Sequence, residues 1–92
     1  MSIQWLFDVI EDRKKNPTEE SYTTSLFKNG LPKIAQKVGE EGTEVVVAAL
    51  AQSDERLIEE VADLTYHTLV LLSARSIHPD QIVAELQKRH QK

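Results

Sequence analysis

Residues 32–52, PKIAQKVGEEGTEVVVAALAQ, and residues 54–75, DERLIEEVADLTYHTLVLLSAR, decide the fold. Around the first stretch Leu31, Ile34, Ala35, Val38, Gly42, Val45, Val46 and Ala49 recur at steps of mostly three and four, the spacing of one helix face. Val45, Val46 and Val47 alone would read as a strand, but the helical period runs unbroken on both sides of them. Pro32 suits a first helical position. In the second stretch Leu57, Ile58, Val61, Ala62, Leu64, Leu69, Leu71 and Leu72 cover about half the circumference at ~100° per residue. A surface helix needs an apolar stripe of only about 100°. This helix is therefore expected to pack on two sides, against its own bundle and against a second copy of the chain. Ser53 or Asp54 offers its N-cap, and it ends near Arg75 or Ser76. The connection between the two helices is so short that they must be antiparallel neighbours.

Outward from this pair, Ile3, Leu6, Phe7 and Ile10 give a helix over residues 3–15, stopped by Asn16-Pro17 because Pro disfavours helical geometry in the residue before it. Residues 17–30 are polar and hold no long period; they read as an ordered loop with at most a short turn around residues 21–27. Pro79 opens a last helix through Ile82, Val83 and Leu86 into the basic tail Lys88-Arg89-His90. Trp5, Phe7 and Tyr66 sit at helical spacing and read as core. The expectation is one all-α domain over residues 1–92, a bundle of four to five helices completed by homodimerisation, without internal repeats.

Composition narrows the function. A chain of 92 residues has a small core that usually needs a supplement, and the absence of Cys leaves a metal or an oligomer to supply it. Fifteen acids against eleven bases give a net charge of −4, a poor footprint for nucleic-acid binding. No apolar run approaches a membrane span and Asp8 interrupts the start, so a soluble, cytoplasmic protein without a secretory signal is expected. There is no phosphate-binding glycine loop of the Gly-x-x-x-x-Gly-Lys type and no plausible Ser–His–Asp set.

The chemistry lies in carboxylates. Glu41 and Glu44 stand three apart on one helix, Glu60 and Asp63 three apart on the next, so each pair shares a face. Glu44 and Asp63 each lie about nine residues from the connection, which at 1.5 Å rise puts them at similar depth. Four facing acids repel one another unless a cation joins them. A hard divalent ion such as Mg²⁺, with Mn²⁺ as substitute, suits carboxylate oxygens and a substrate phosphate. A single Glu-x-x-Glu is usually a solvated helix face, and Lys37 has the spacing to pair with Glu41. Two acidic pairs at matched depth are a stronger signal. A di-iron bundle would want Glu-x-x-His on two helices, which neither pair provides. His67, four residues beyond Asp63, reads as a hydrogen-bonded neighbour of the site rather than a ligand; His78 and His90 read as cap and surface residues.

Ser21-Tyr22-Thr23, then the run from Lys37 through Val38, Gly39, Glu40, Glu41, Gly42 and Thr43 to Glu44, then Glu60-Val61-Ala62-Asp63-Leu64-Thr65-Tyr66-His67, together resemble the phosphoribosyl-ATP pyrophosphatase family, within the all-α nucleotide pyrophosphatase superfamily. The likeness runs from about Asp12 to His90. It implies a homodimeric all-α enzyme that hydrolyses the α–β phosphoanhydride of phosphoribosyl-ATP to phosphoribosyl-AMP and pyrophosphate, the second step of histidine biosynthesis. Relatives are often fused to the cyclohydrolase of the next step, for which 92 residues leave no room. With the resemblance, Glu41, Glu44, Glu60 and Asp63 are the expected Mg²⁺ ligands and water the nucleophile, with Glu40 as candidate to orient or deprotonate it. Arg13, Lys33 and Lys37 are candidate phosphate contacts; Ser21, Tyr22 and Thr23 with their loop, and His67, are candidate substrate contacts. The alternatives are a related nucleoside triphosphate pyrophosphohydrolase and a non-catalytic helical dimerisation module.

Overall fold

The computed structural model describes residues 3–91, and among them every regular element is helical: α1 (Gln4–Lys15), α2 (Tyr22–Asn29), α3 (Leu31–Ala51), α4 (Asp54–Ala74) and α5 (Pro79–His90). The antiparallel α3–α4 hairpin is the spine, turned by Gln52 and Ser53, with the Ser53 hydroxyl accepting from the Arg56 amide as the N-cap of α4. The three consecutive valines are helical. Pro79 opens α5 and His78 caps it, its Nδ1 accepting from the Asp80 amide.

Residues 17–30 hold more structure than their polarity predicts. The Ser21 hydroxyl accepts from the Thr24 amide and starts α2, and Gly30 ends it at φ 91°, a left-handed backbone angle that favours glycine. The buried face of α2 is Thr23, Thr24 and Leu26, so its helical stripe is mostly hydroxyl and escapes a count of apolar residues. Thr23 and Tyr66 share a hydrogen bond, and Thr24 Oγ1 accepts from the Thr18 amide at 3.1 Å, so the buried hydroxyls are satisfied.

The core joins Phe7 and Ile10 of α1, Leu26 of α2, Ile34 of α3 and Leu69 and Val70 of α4. Tyr66 packs against it half-buried, but Trp5 stays 53% exposed and is not a core residue. It precedes Phe7 by two positions, hence about 200° round the helix from the face that meets α4. The core sits at one end of the spine, on the start of α3 and the close of α4. Beyond it the hairpin continues as a two-helix arm that leaves Val46, Val47, Leu50, Ile58 and Val61 exposed. The radius of gyration, 14.4 Å, exceeds the roughly 12 Å of a compact chain of this length, as a projecting arm requires.

The close of α4 carries a Schellman turn: the Ile77 amide donates to Leu72 O (2.8 Å) and the Ser76 amide to Ser73 O (3.0 Å). The turn puts Ser76 at φ 57°, where a Cβ is unfavourable. Ser76→Gly should raise stability by about 0.5–1 kcal/mol, the left-handed cost relieved less the extra chain entropy of glycine, and urea titration of parent and variant measures it.

Candidate metal centre

Alternating three- and four-residue steps run along the seam between α3 and α4. On α3 the inward positions are Ile34, Val38, Glu41, Val45 and Ala48; on α4 they are Leu57, Glu60, Leu64, His67 and Leu71. Glu41 and Glu60 thus occupy core positions of a helix pair, with exposures of 6% and 5%. Charged side chains are almost never this buried unless paired. One carboxylate oxygen from each of Glu41, Glu60 and Asp63 falls within 4.8 Å of the others. Glu41 Oε2 and Glu60 Oε2 are buried without any hydrogen-bond donor. Two orphaned, inward acidic oxygens beside a third carboxylate form a donor set that fits a hard cation and little else.

Glu44 completes the expected four at the rim, solvent-exposed. Its pKa is raised because the neighbouring Glu60 carboxyl favours a proton on Glu44, first through close polar contact and also through its charge, which adjacent Glu41 and Lys37 partly oppose. The matched depth of the acidic pairs is therefore realised across the hairpin. Glu40 is not drawn into the seam. It is exposed and accepts from Gln36 Nε2 (2.7 Å) and Lys37 Nζ (3.3 Å), which hold its pKa low.

Two bases flank the acids. Lys37 Nζ lies 3.5 Å from Glu41 Oε1; burial lowers its pKa, but the Glu40 hydrogen bond and nearby negative charge outweigh that and raise it. Arg56, which the sequence reading passed over, donates to Glu59 and, at 2.7 Å, to Glu60 Oε1. Its signal was present in the sequence as a base four residues before an acid on a helix. Arg56, Glu44 and Glu60 line an open pocket of about 210 Å³ together with Val47 and Gln52.

The other predicted contacts divide. Tyr22 Oη lies 3.0 Å from His67 Nε2, and His67 Nδ1 lies 2.7 Å from the Asp63 carbonyl. A carbonyl only accepts, so Nδ1 carries the proton and Nε2 of the neutral ring accepts from Tyr22. His67 is buried here as a link between α2 and the turn of α4 that bears Asp63, not among the grouped carboxylates. The Ser21 and Thr23 hydroxyls serve the cap of α2 and its docking on Tyr66. Lys33 is exposed in the first turn of α3, and Arg13 pairs with Asp12 on its own helix at 2.7 Å.

The sequence profile of the phosphoribosyl-ATP pyrophosphohydrolase family matches residues 4–90. A Clostridium acetobutylicum protein named phosphoribosyl-ATP pyrophosphatase is 54% identical over 87 residues, covering 95% of this chain and 79% of its own. Proteins of the same name from Lacticaseibacillus casei and Sulfolobus acidocaldarius are 55% and 46% identical, over 99% and 98% of this chain and 83% and 95% of theirs.

The raised pKa of Glu44 has a signed consequence for the metal-free protein. A carboxyl whose folded pKa lies above its unfolded value of 4.5 stabilises fully below that value, and the contribution is lost as pH rises through the folded pKa. In chelator, the stability of the parent relative to Glu44→Gln should therefore fall between about pH 4 and neutrality. Melting curves of the two proteins across that range check it; a flat difference contradicts it.

Proposed function

The chain belongs to the phosphoribosyl-ATP pyrophosphohydrolase family, and on that premise we propose how its side chains serve the hydrolysis of phosphoribosyl-ATP to phosphoribosyl-AMP and pyrophosphate in histidine biosynthesis. The observation that carries the reading is the pair of buried, unpartnered glutamate oxygens facing across one helix seam beside Asp63. Glu41, Glu44, Glu60 and Asp63 hold Mg²⁺, for which Mn²⁺ can substitute. When bound, the ion draws in the triphosphate and offsets negative charge developing at the cleaved anhydride.

The remaining roles fall to the chain's own groups. Lys33 and Lys37 face the phosphates from α3, and the amides of Tyr22 and Thr23 at the start of α2 offer the positive end of a helix. The link from Tyr22 through His67 to the Asp63 carbonyl keeps that helix start in register with the acids. Glu40, next to Glu41 and exposed on α3, orients or deprotonates the attacking water. Arg13 has no part in this reading beyond α1. The described residues contain no helix long and apolar enough to cross a membrane, which fits a cytoplasmic enzyme acting on a soluble nucleotide.

The working unit is a homodimer. The exposed valines, Leu50 and Ile58 of the projecting arm have no cover within the chain, and a helix pair with apolar outer faces calls for another pair against it. The related nucleoside triphosphate pyrophosphohydrolase would share the acids and differ in substrate, so turnover of phosphoribosyl-ATP against ATP and dUTP separates the two. A dimerisation module without catalysis would tolerate loss of the acids.

Pyrophosphate release from phosphoribosyl-ATP should require Mg²⁺ and stop in chelator. Asp63→Asn should lose most of that release, with metal-free stability unchanged or slightly higher. Mg²⁺ at a hundredfold excess over Kd should stabilise the parent by about 2.7 kcal/mol and the variant much less. Four melting curves, parent and variant with Mg²⁺ and with chelator, decide it: equal shifts refute the metal role of Asp63. For assembly, the melting temperature should rise with protein concentration. Ile58, 69% exposed and outside the chain's own core, is the place to break the dimer; Ile58→Glu should sediment as monomer where the parent does not. Leu69 is unsuitable for that purpose, because it belongs to the core.

A further inference from the structure

The two acid-bearing segments are the same octet written twice. Lys37-Val38-Gly39-Glu40-Glu41-Gly42-Thr43-Glu44 on α3 and Arg56-Leu57-Ile58-Glu59-Glu60-Val61-Ala62-Asp63 on α4 each run base, two uncharged residues, two glutamates, two uncharged residues, acid. The structure treats them alike. Lys37 reaches Glu40 Oε1 (3.3 Å) and Glu41 Oε1 (3.5 Å); Arg56 reaches Glu59 and Glu60 Oε1 (2.7 Å). In both octets the second glutamate is the buried one, its Oε1 meets the base, and its Oε2 has no partner. The base and both glutamates lie within one helical turn, so the arrangement follows from the spacing.

We propose that Arg56 is a positioning residue for the metal centre: by holding Glu60 Oε1 it fixes the carboxylate so that Oε2 is presented to the cation, as Lys37 does more loosely for Glu41. The inference rests on the metal reading of the site. A glutamate has three side-chain torsions, and a ligand that must present one chosen oxygen needs its other oxygen restrained. A guanidinium suits the task, because its planar fork bonds Glu59 and Glu60 together and is thereby fixed itself. Lys37 offers a single point of charge at longer distance. The roles are therefore unequal, and Arg56 is the stronger clamp.

The proposal has a sign opposite to that of plain electrostatics. A positive charge beside a cation site repels the cation, so removing Arg56 should tighten metal binding if charge alone matters. If Arg56 orients Glu60, removing it should weaken binding. The test is calorimetric titration of the whole protein with Mn²⁺ alone, without substrate, for the parent, Arg56→Gln, Arg56→Lys and Arg89→Gln. Arg89, whose guanidinium pairs with Glu85 on α5, controls for the loss of one charge. Arg56→Gln should bind Mn²⁺ about 10–100-fold more weakly, the usual cost of losing a group that orients a ligand. Arg56→Lys should recover part of the loss, and Arg89→Gln should stay within about twofold of the parent, since an exposed ion pair on α5 contributes little. Unchanged or tighter binding by a folded Arg56→Gln overturns the proposal. Should that variant fail to fold, Arg56→Lys carries the test, and parental affinity there overturns it. A parent that binds no Mn²⁺ overturns the metal reading itself, which separates failure of the site from failure of the clamp.

Discussion

Two glutamates placed on the dry seam of a helix pair are the constraint on which the rest depends. Glu41 and Glu60 take positions that the repeat would give to Leu or Val, and each keeps one oxygen away from any donor. Burying a carboxylate without a partner costs several kcal/mol, so such a seam is a stored demand for positive charge. Lys37 and Arg56 meet part of it from the solvent side, at the outer oxygens. The inner oxygens meet no donor, and they are the ones that the proposed Mg²⁺ would engage.

That demand explains where the core lies. Apolar packing is concentrated at one end, where α1 and α2 close over Ile34, Leu69 and Val70. The acids sit further along the spine, and past them the arm keeps Val45, Ala48 and Leu57 between its helices while Val46, Val47, Leu50 and Ile58 lie exposed on its outside. Helices α1, α2 and α5, of 12, 8 and 12 residues, do not cover both ends of two 21-residue helices that are each about 30 Å long. Stabilising the far end falls to the association and the cation that we propose.

The small helix α2 ties the two ends together. Its hydroxyl-rich face would be a poor core element alone, but Thr23 finds Tyr66 and Tyr22 finds His67, two adjacent residues of α4. His67 passes the connection to the carbonyl of Asp63, one turn back toward the acids. Polar contacts that look incidental on α2 therefore set the distance between a helix N-terminus and the carboxylates. A helix held by apolar packing alone could slide; one held by directional hydrogen bonds has a defined register.

The sequence by itself determined the helices of the spine, their antiparallel pairing and the matched depth of the acidic pairs. All three follow from a 3.6-residue period and a short connection, which are local properties. It also marked the acids, because i, i+3 spacing puts charges on one face whatever surrounds them. It missed α2, whose stripe is built of threonines that count as polar until Tyr66 and the Thr18 amide satisfy them. It placed Trp5 in the core, since spacing within one helix cannot say which face α4 will cover. It passed over Arg56, an ordinary exposed base until Glu60 is seen to be buried with one free oxygen. Which acid is buried and which stays at the rim is a property of two helices in contact, and only the tertiary structure decides it, because desolvation depends on neighbours that are distant in the chain.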